Sequence, residues 1–189
     1  MSWLPNFEIP ARSETAEATE AAEIANVSGF ELSELEADYL RQIEGLQPEQ
    51  WSELSTEARL ESLRELECRL ADIEGRSPVE VRCENLSPGQ YGYFERQGNV
   101  MILNEAMLRA ESPLDAIDTV AHEGRHAYQY YCVQHVGTHD DPFEVAAWQD
   151  NFENYLDAKL YGYEVYRAQP VEADAWVFGE TIRSLFEKT

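Results

Sequence analysis

Two histidines and a glutamate have types and a spacing that suit a metal site. The segment His122-Glu123-Gly124-Arg125-His126 places the histidines four residues apart. In an α-helix such residues project from the same face, about one turn from each other. Each imidazole can therefore donate a ring nitrogen to one tetrahedral zinc ion. Glu123, next to the first histidine, can take a proton from water at the open position of that ion.

A zinc site that keeps an open position needs a third protein ligand. His135 and His139 lack the spacing of a metzincin site, since Cys132 occupies the position that this pattern needs. Glu172 and Asp174 border the apolar face of a final helix, where an unpaired carboxylate is costly. We therefore predict that Glu172 binds the metal and that Asp174 accepts the outer N–H of a ligand histidine. Two alternatives are a Glu172 that only stabilises the helix N-terminus and a solvated Asp174.

The motif needs a helix to position it, and the preceding residues provide a helix start. Ser112-Pro113-Leu114-Asp115 offers an N-cap serine, a proline in the first turn and an acid beside the positive end of the helix dipole. We expect this helix to run to about Val136 and to end at Gly137. Gly124 costs about 1 kcal/mol of helix propensity relative to alanine, so it indicates that a neighbouring backbone or the substrate comes close.

Periodic apolar residues define the other elements. Helical spacing predicts helices at residues 31–46, from Pro48, at 56–74 with Gly75 as the stop, at 143–167, and from Pro170 onward. Alternation predicts strands at residues 79–83, 91–93 and 100–103, the last two joined by a tight turn at Gln97-Gly98-Asn99. We expect a small antiparallel sheet. The 143–167 helix carries aromatic residues that could line a cleft or face the core, namely Trp148, Phe152, Tyr155, Tyr161, Tyr163 and Tyr166.

These patterns divide the chain into three parts. Residues 1–29 are rich in Glu, Ala, Ser and Thr and are expected to form a mobile acidic tail. Residues 30–77 form a helical N-terminal region, and residues 78–189 form the core that contains the metal motif. With 43% hydrophobic residues, the chain can bury a substantial core.

The charge balance limits the partners. The chain has 37 acidic and 14 basic residues, for a net charge of −23. This excess disfavours nucleic acid and anionic membranes, which bind through clustered Lys and Arg, so that a basic peptide or protein fits better. Three widely spaced cysteines do not suggest a disulfide framework. No secretory signal or membrane-spanning run is visible, so we expect a cytoplasmic protein or one exported by a specialised secretion system.

The two-histidine helix followed by Glu172 on a later helix resembles the gluzincin group of zinc metallopeptidases. Within that group, Pro170-Val171-Glu172-Ala173-Asp174-Ala175 and Phe178 resemble the Glu-Ala-Asp segment of ImmA/IrrE-type regulatory zincins. They resemble equally the metallopeptidase domains of bacterial toxins and mobile elements. The resemblance spans roughly residues 91–186. It implies an α+β, zincin-like fold in which a small sheet packs on the catalytic helix, with further helices at both ends.

The resemblance also implies how such a site would work. An edge strand, expected at residues 100–103, would pair with an extended peptide substrate. A side chain near the metal would stabilise the developing oxyanion, and Tyr163, Tyr166 and Arg125 are the candidates.

The expected function is that of a zinc-dependent endopeptidase that acts on a peptide or protein substrate. Metal-activated water would attack the peptide bond with Glu123 as general base, in a bacterial effector, a toxin or a regulatory protease. Two alternatives remain open at this stage. One is a catalytically silent, zincin-like binding or regulatory module, and the other is metal-assisted hydrolysis of a non-peptide amide.

Overall fold

The computed structural model describes residues 32–187, so the expected mobile tail at residues 1–29 lies outside the described residues. The described chain is α+β, and none of its helices is both long and apolar enough to cross a membrane. Its helices are α1 (Glu34–Arg41), α2 (Pro48–Glu53), α3 (Thr56–Ile73), α4 (Leu114–Gln134), α5 (Pro142–Glu153), α6 (Ala158–Tyr161), α7 (Tyr163–Arg167) and α8 (Pro170–Glu187). Short 3₁₀ helices occupy Glu44–Leu46 and Met107–Arg109, and the strands are β1 (Glu80–Glu84), β2 (Gly92–Glu95) and β3 (Val100–Asn104).

The three strands form one mixed sheet in the order β1-β3-β2. β2 and β3 are antiparallel, and the turn between them contains Asn99 at a φ of 50°, as the Gln97-Gly98-Asn99 signal predicts. β1, however, pairs with β3 in parallel, so the expectation of an antiparallel sheet is wrong. The Asn104 side chain donates to Gln90 O at 2.7 Å and holds the β1–β2 loop across the end of β3. The loop can thus place β1 and β2 on opposite sides of β3.

β3 is the central strand, which corrects the expectation that residues 100–103 form an edge. All five of its residues are buried. A run of apolar residues without alternation is typical of a strand covered on both faces, which is the position that β3 occupies. The edge strand that lies beside α4 is β2.

The helix that carries the motif begins and ends close to the predicted residues. It begins at Leu114, with Pro113 rather than Ser112 at the N-cap position and no side-chain cap. The Ser112 hydroxyl instead accepts a hydrogen bond from Leu114 N at 3.3 Å. The helix ends before Gly137, whose φ is 89°. The prediction of this helix is confirmed apart from its capping residue.

The helix predicted at residues 143–167 is broken into α5, α6 and α7. Gly162, with a φ of 90°, separates α6 from α7. Between α5 and α6 the backbone of Leu156 is satisfied by the Gln169 side chain, which accepts from Leu156 N at 2.7 Å and donates to Leu156 O at 2.9 Å. Because a distant side chain takes both hydrogen-bonding groups of Leu156, the helix can end there without leaving them unpaired. Apolar spacing alone does not reveal such a break.

α4 and α8 lie against each other along most of their lengths, and Gly179 allows them to approach. A Cβ at Gly179 would lie 2.9 Å from Asp118 Oδ1 and 3.5 Å from His122 Cβ. The contact with Asp118 Oδ1, together with 3.2 Å to the backbone oxygen of Asp118, is too tight for a side chain without a shift, whereas the distance to His122 Cβ is ordinary van der Waals contact. Gly179 of α8 therefore packs against α4 at Asp118 and His122, the first histidine of the motif.

On another side of α4, the glycine of the motif accommodates a buried ion pair. Arg76 donates to Glu67 at 2.6 and 3.1 Å and to the backbone oxygen of Gly124 at 3.1 Å. Glu67 also accepts from Val79 N at 2.9 Å. A Cβ at Gly124 would lie 2.9 Å from Glu67 Oε2, so a larger residue would displace the pair. The close approach expected at Gly124 exists, but side chains make it rather than a backbone or a substrate.

The same arginine begins a chain of alternating charges that reaches α8. Arg76 Nε donates to Glu74 at 2.9 Å, and Arg125 Nη1 donates to the other oxygen of Glu74 at 3.2 Å. Arg125 also binds Asp174 with two hydrogen bonds, at 2.8 and 3.0 Å. All four side chains are buried. Because burial removes water from these charges, each must be neutralised by its neighbours.

This arrangement predicts a large loss of stability in Arg76→Met. The substitution leaves Glu67 buried without its partner, which we expect to lower the free energy of unfolding by about 3–5 kcal/mol in urea denaturation. The pair Arg82–Glu80 on β1 offers the control, since both side chains are more than half exposed. Arg82→Met should change stability little. Equal effects of the two substitutions would contradict the importance of the buried pair.

Candidate metal site

α4 and α8 bring three potential ligand atoms together. His122 Nε2 and His126 Nε2 are 3.1 Å apart. Glu172 Oε2 lies 3.4 Å from His122 Nε2, and Glu172 Oε1 lies 3.4 Å from His126 Nε2. At most 3% of the surface of each residue is exposed. The structure thus assembles the three residues that the sequence suggested as ligands.

The three residues could bind a metal ion. Ligand atoms about 2.0–2.1 Å from a tetrahedrally coordinated ion lie about 3.3–3.4 Å from one another. The observed separations of 3.1 and 3.4 Å are close to this value. Glu172 Oε2 is buried and makes no hydrogen bond of normal geometry. A cation between the three side chains would satisfy this oxygen and would balance its negative charge.

The orientation of His126 is set by Gln129. The Gln129 amide nitrogen donates to Val171 O at 2.9 Å and to Asp174 Oδ2 at 2.7 Å. Both partners can only accept, so the amide oxygen of Gln129 must face the other way, where it lies 2.9 Å from His126 Nδ1. His126 therefore carries its proton on Nδ1. The lone pair of Nε2 then faces Glu172 and His122, as a metal ligand requires.

Two expectations for the surroundings of the site need correction. Asp174 was expected to accept the outer N–H of a ligand histidine, but Gln129 is the acceptor for His126, and Asp174 accepts from Gln129 and Arg125. Arg125 was one candidate for oxyanion stabilisation, but its guanidinium is committed to Asp174 and Glu74. Helical spacing makes Gln129 a neighbour of His126, but only Val171 and Asp174, which accept its amide N–H groups, turn its oxygen toward the ring.

Glu123 has an uncommitted carboxylate beside the three ligand residues. It is fully buried, and neither oxygen makes a hydrogen bond of normal geometry. Burial raises the pKa of Glu123 to about 7, while nearby His126 lowers it and Glu172 raises it. The backbone N–H of Phe94 on β2 lies close enough to lower the pKa slightly, although it makes no hydrogen bond of normal geometry. The free lone pairs of Glu123 suit it to accept a proton.

The open edge of β2 lies beside this carboxylate. Asn104 N donates to Tyr91 O at 2.7 Å, and in an antiparallel pair such contacts recur at every second residue. In the register of β2 with β3, Tyr93 and Glu95 therefore bond to β3, whereas the N–H and C=O groups of Gly92 and Phe94 face away from it. These outward groups are not paired with β3, and the N–H of Phe94 approaches Glu123.

Tyrosines from the segment between α5 and α8 contact the site. Tyr155 donates its hydroxyl to Glu172 Oε1 at 2.7 Å. The Tyr166 ring lies against Tyr155 with centroids 6.2 Å apart, and Tyr163 stacks on Tyr166 at 6.1 Å. Burial, and then the nearby charges of Glu172 and Glu123, raise the pKa of Tyr166 well above its usual value, so its hydroxyl keeps its proton. The sequence suggested Tyr163 and Tyr166 but did not single out Tyr155.

Comparisons of the chain with protein-family models, with curated proteins and with solved structures gave no match.

The hydrogen bond from His126 to Gln129 predicts that Gln129→Leu weakens metal binding. Loss of the acceptor frees the ring to rotate and to change its protonation, so we expect about 10–100-fold lower affinity for zinc in competition with a chromogenic chelator. Gln134→Leu, at an exposed position of the same helix, is the matched control. An unchanged affinity in Gln129→Leu would show that Gln129 does not position the histidine.

Proposed function

We propose that the chain is a zinc-dependent endopeptidase with a zincin-like arrangement. The observation that carries the proposal is the position of Glu123, a buried carboxylate with no hydrogen bond of normal geometry, next to three converging ligand residues. A purely structural metal site has no need for such a group. A buried acceptor that no protein donor satisfies usually has a chemical role.

Each residue of the site has a role in this proposal. His122, His126 and Glu172 would hold the zinc ion through the two Nε2 atoms and the carboxylate. When bound, zinc supplies a Lewis acid that acidifies water and polarises a carbonyl. Glu123 takes the proton from the attacking water and transfers it to the leaving amine, which requires a base that can pass between its two protonation states near neutral pH.

An extended peptide would pair with β2 rather than with β3. The outward N–H and C=O groups of Gly92 and Phe94 offer main-chain hydrogen bonds along the edge next to Glu123. The protonated hydroxyl of Tyr166 would donate to the oxyanion that forms at the attacked carbonyl. Tyr163 remains a candidate for the same role, although it contacts the site through Tyr166.

The alternative is a module that holds a metal and does not catalyse a reaction, and the closed state of the site favours it. Glu123 and Glu172 are fully buried, and Tyr155 is bonded to Glu172. A peptide could reach Glu123 only if the residues that cover it moved away. The two hypotheses agree on the metal ligands and differ on the role of Glu123.

Metal analysis of the purified protein tests the part that both hypotheses share. We expect about one zinc per chain in the wild type and less than about a tenth of that in His126→Ala, because zinc sites with an open position rely on all three protein ligands. His135→Ala, at an exposed residue just past the end of α4, should retain the full zinc content. A wild-type protein that does not bind added zinc would refute both hypotheses.

Glu123→Gln distinguishes the two hypotheses. The amide keeps the shape of the side chain but is a poor base, so zinc content should be unchanged while peptide hydrolysis falls about 10²–10⁴-fold. Hydrolysis can be followed with casein and with a mixture of extended peptides. Glu111→Gln, an exposed substitution ahead of α4 with the same change in charge, is the control. Equal hydrolysis by Glu123→Gln and the wild type would rule out the enzyme mechanism.

A further inference from the structure

Arg96, the residue directly after β2, forms no ion pair with any residue in the range 32–187. Its guanidinium lies over the rings of Phe152, at 4.9 Å, and Tyr130, at 5.9 Å, and the side chain is half-buried. Within residues 32–187 it makes no ion pair and no hydrogen bond. Burial lowers the pKa of Arg96, and the groups that oppose this effect are Tyr130 and Tyr155 rather than a carboxylate. Its five N–H donors are thus available to a ligand.

This state is unusual in such an acidic chain. Most other arginines within residues 32–187 bind a carboxylate, as Arg41, Arg82 and Arg109 do. The exceptions are Arg59, which donates to backbone carbonyl oxygens, and Arg167, which lies over Trp176. With 37 acidic residues in the chain, an intramolecular partner would be easy to provide. Two aromatic rings hold the Arg96 guanidinium in place instead. A cation that is held in place without a counter-charge is ready to bind an anion.

The position of Arg96 connects it with the proposed substrate strand. Side chains alternate along a strand, so Gly92 and Phe94 share one face of β2, and Arg96, the first residue of the turn after β2, contacts the same helix as Gly92, α4. A Cβ at Gly92 would lie 2.9 Å from Thr119, and Arg96 lies over Tyr130. Arg96 is two residues past Phe94, whose backbone N–H approaches Glu123, and two residues of a strand span about 7 Å.

We infer that Arg96 selects a substrate with a carboxylate about two residues from the bond that is cleaved. This inference rests on the proposed function for the location of the cleaved bond. The fork of the guanidinium can bind both oxygens of a carboxylate, and its partial removal from water strengthens the pair. The carboxylate can be an Asp or Glu side chain or the C-terminus of the peptide.

This inference revises the expectation of a basic peptide. That expectation came from the net charge of −23, which acts over long distances. At physiological ionic strength, exposed charges are screened beyond about 8 Å, so contacts at the site determine which peptide is preferred. The charged side chain that follows β2 and contacts α4 is that of Arg96, which is positive.

Binding of defined peptides tests the inference. The zinc-loaded, full-length Glu123→Gln protein is titrated into fluorescent hexapeptides in which one Glu, or one Gln, is moved through each position. Each peptide is made with a free and with an amidated C-terminus, which separates the two sources of the carboxylate. We expect at least about tenfold tighter binding for Glu than for Gln at one position, or for the free over the amidated terminus, as a charge-assisted pair provides.

Substitutions at Arg96 show whether this residue is responsible. In the same background, Arg96→Gln should abolish the preference for the carboxylate, and Arg96→Glu should favour the matching lysine peptide. Arg82→Gln removes an equal charge from β1, at the other edge of the sheet, and should leave the preference intact. Equal affinities for the charged and neutral peptides, or a preference that survives Arg96→Gln, would overturn the inference.

Hydrolysis of the same peptides by the protein with Glu123 intact separates this inference from the proposed function. A preference that depends on Arg96, without any cleavage, would support the binding of a carboxylate by Arg96 and refute the peptidase. Cleavage that depends on Glu123 and is equally fast for charged and neutral peptides would support the peptidase and refute the role of Arg96.

Discussion

The burial of charge around α4 is the constraint that organises this structure. The motif residues lie in a helix that is buried over most of its length, and they carry two imidazoles, a carboxylate and a guanidinium into the interior. Each of these groups loses its hydration there and needs a partner that offsets the loss. On one side of α4 the partners are the oppositely charged residues that follow α3 and lie on α8. On the side of His122 and His126 they are the carboxylate of Glu172 and any ion that the three side chains hold.

The two sides are physically connected through Asp174. Its carboxylate binds Arg125 with two hydrogen bonds and also accepts from Gln129, which in turn accepts from His126. Arg125, which was considered for catalysis, therefore has a structural role. It holds Asp174, Asp174 fixes the amide of Gln129, and this amide orients His126. Gly124 belongs to the same arrangement, since its missing side chain makes room for Glu67 and Arg76. Within the motif, His122, Glu123 and His126 thus offer possible chemistry, whereas Gly124 and Arg125 provide support.

The sheet contributes a strand edge rather than ligands. Because β3 is paired with a strand along both of its edges, the main-chain groups beside Glu123 that are not paired within the sheet belong to β2. At the end of this strand Arg96 lies over two rings, and Tyr155, which also influences Arg96, is bonded to Glu172. Residues that could recognise a substrate and residues that close the site are thus neighbours.

The sequence by itself determined the elements that depend on local patterns. The His-x-x-x-His spacing, the glycine stops at Gly75 and Gly137, and the turn at Asn99 act through nearby residues, so they could be recognised without a tertiary structure. Glu172 was found because an acid beside an apolar helix face needs a partner. Only the tertiary structure decided the order of the strands and the break at Leu156. It also decided that Gln129, rather than Asp174, accepts the hydrogen bond from His126. Each of these depends on contacts between residues far apart in the chain, such as Gln169 with Leu156 and Asp174 with Arg125, and no local pattern specifies which of several possible partners a buried group will meet.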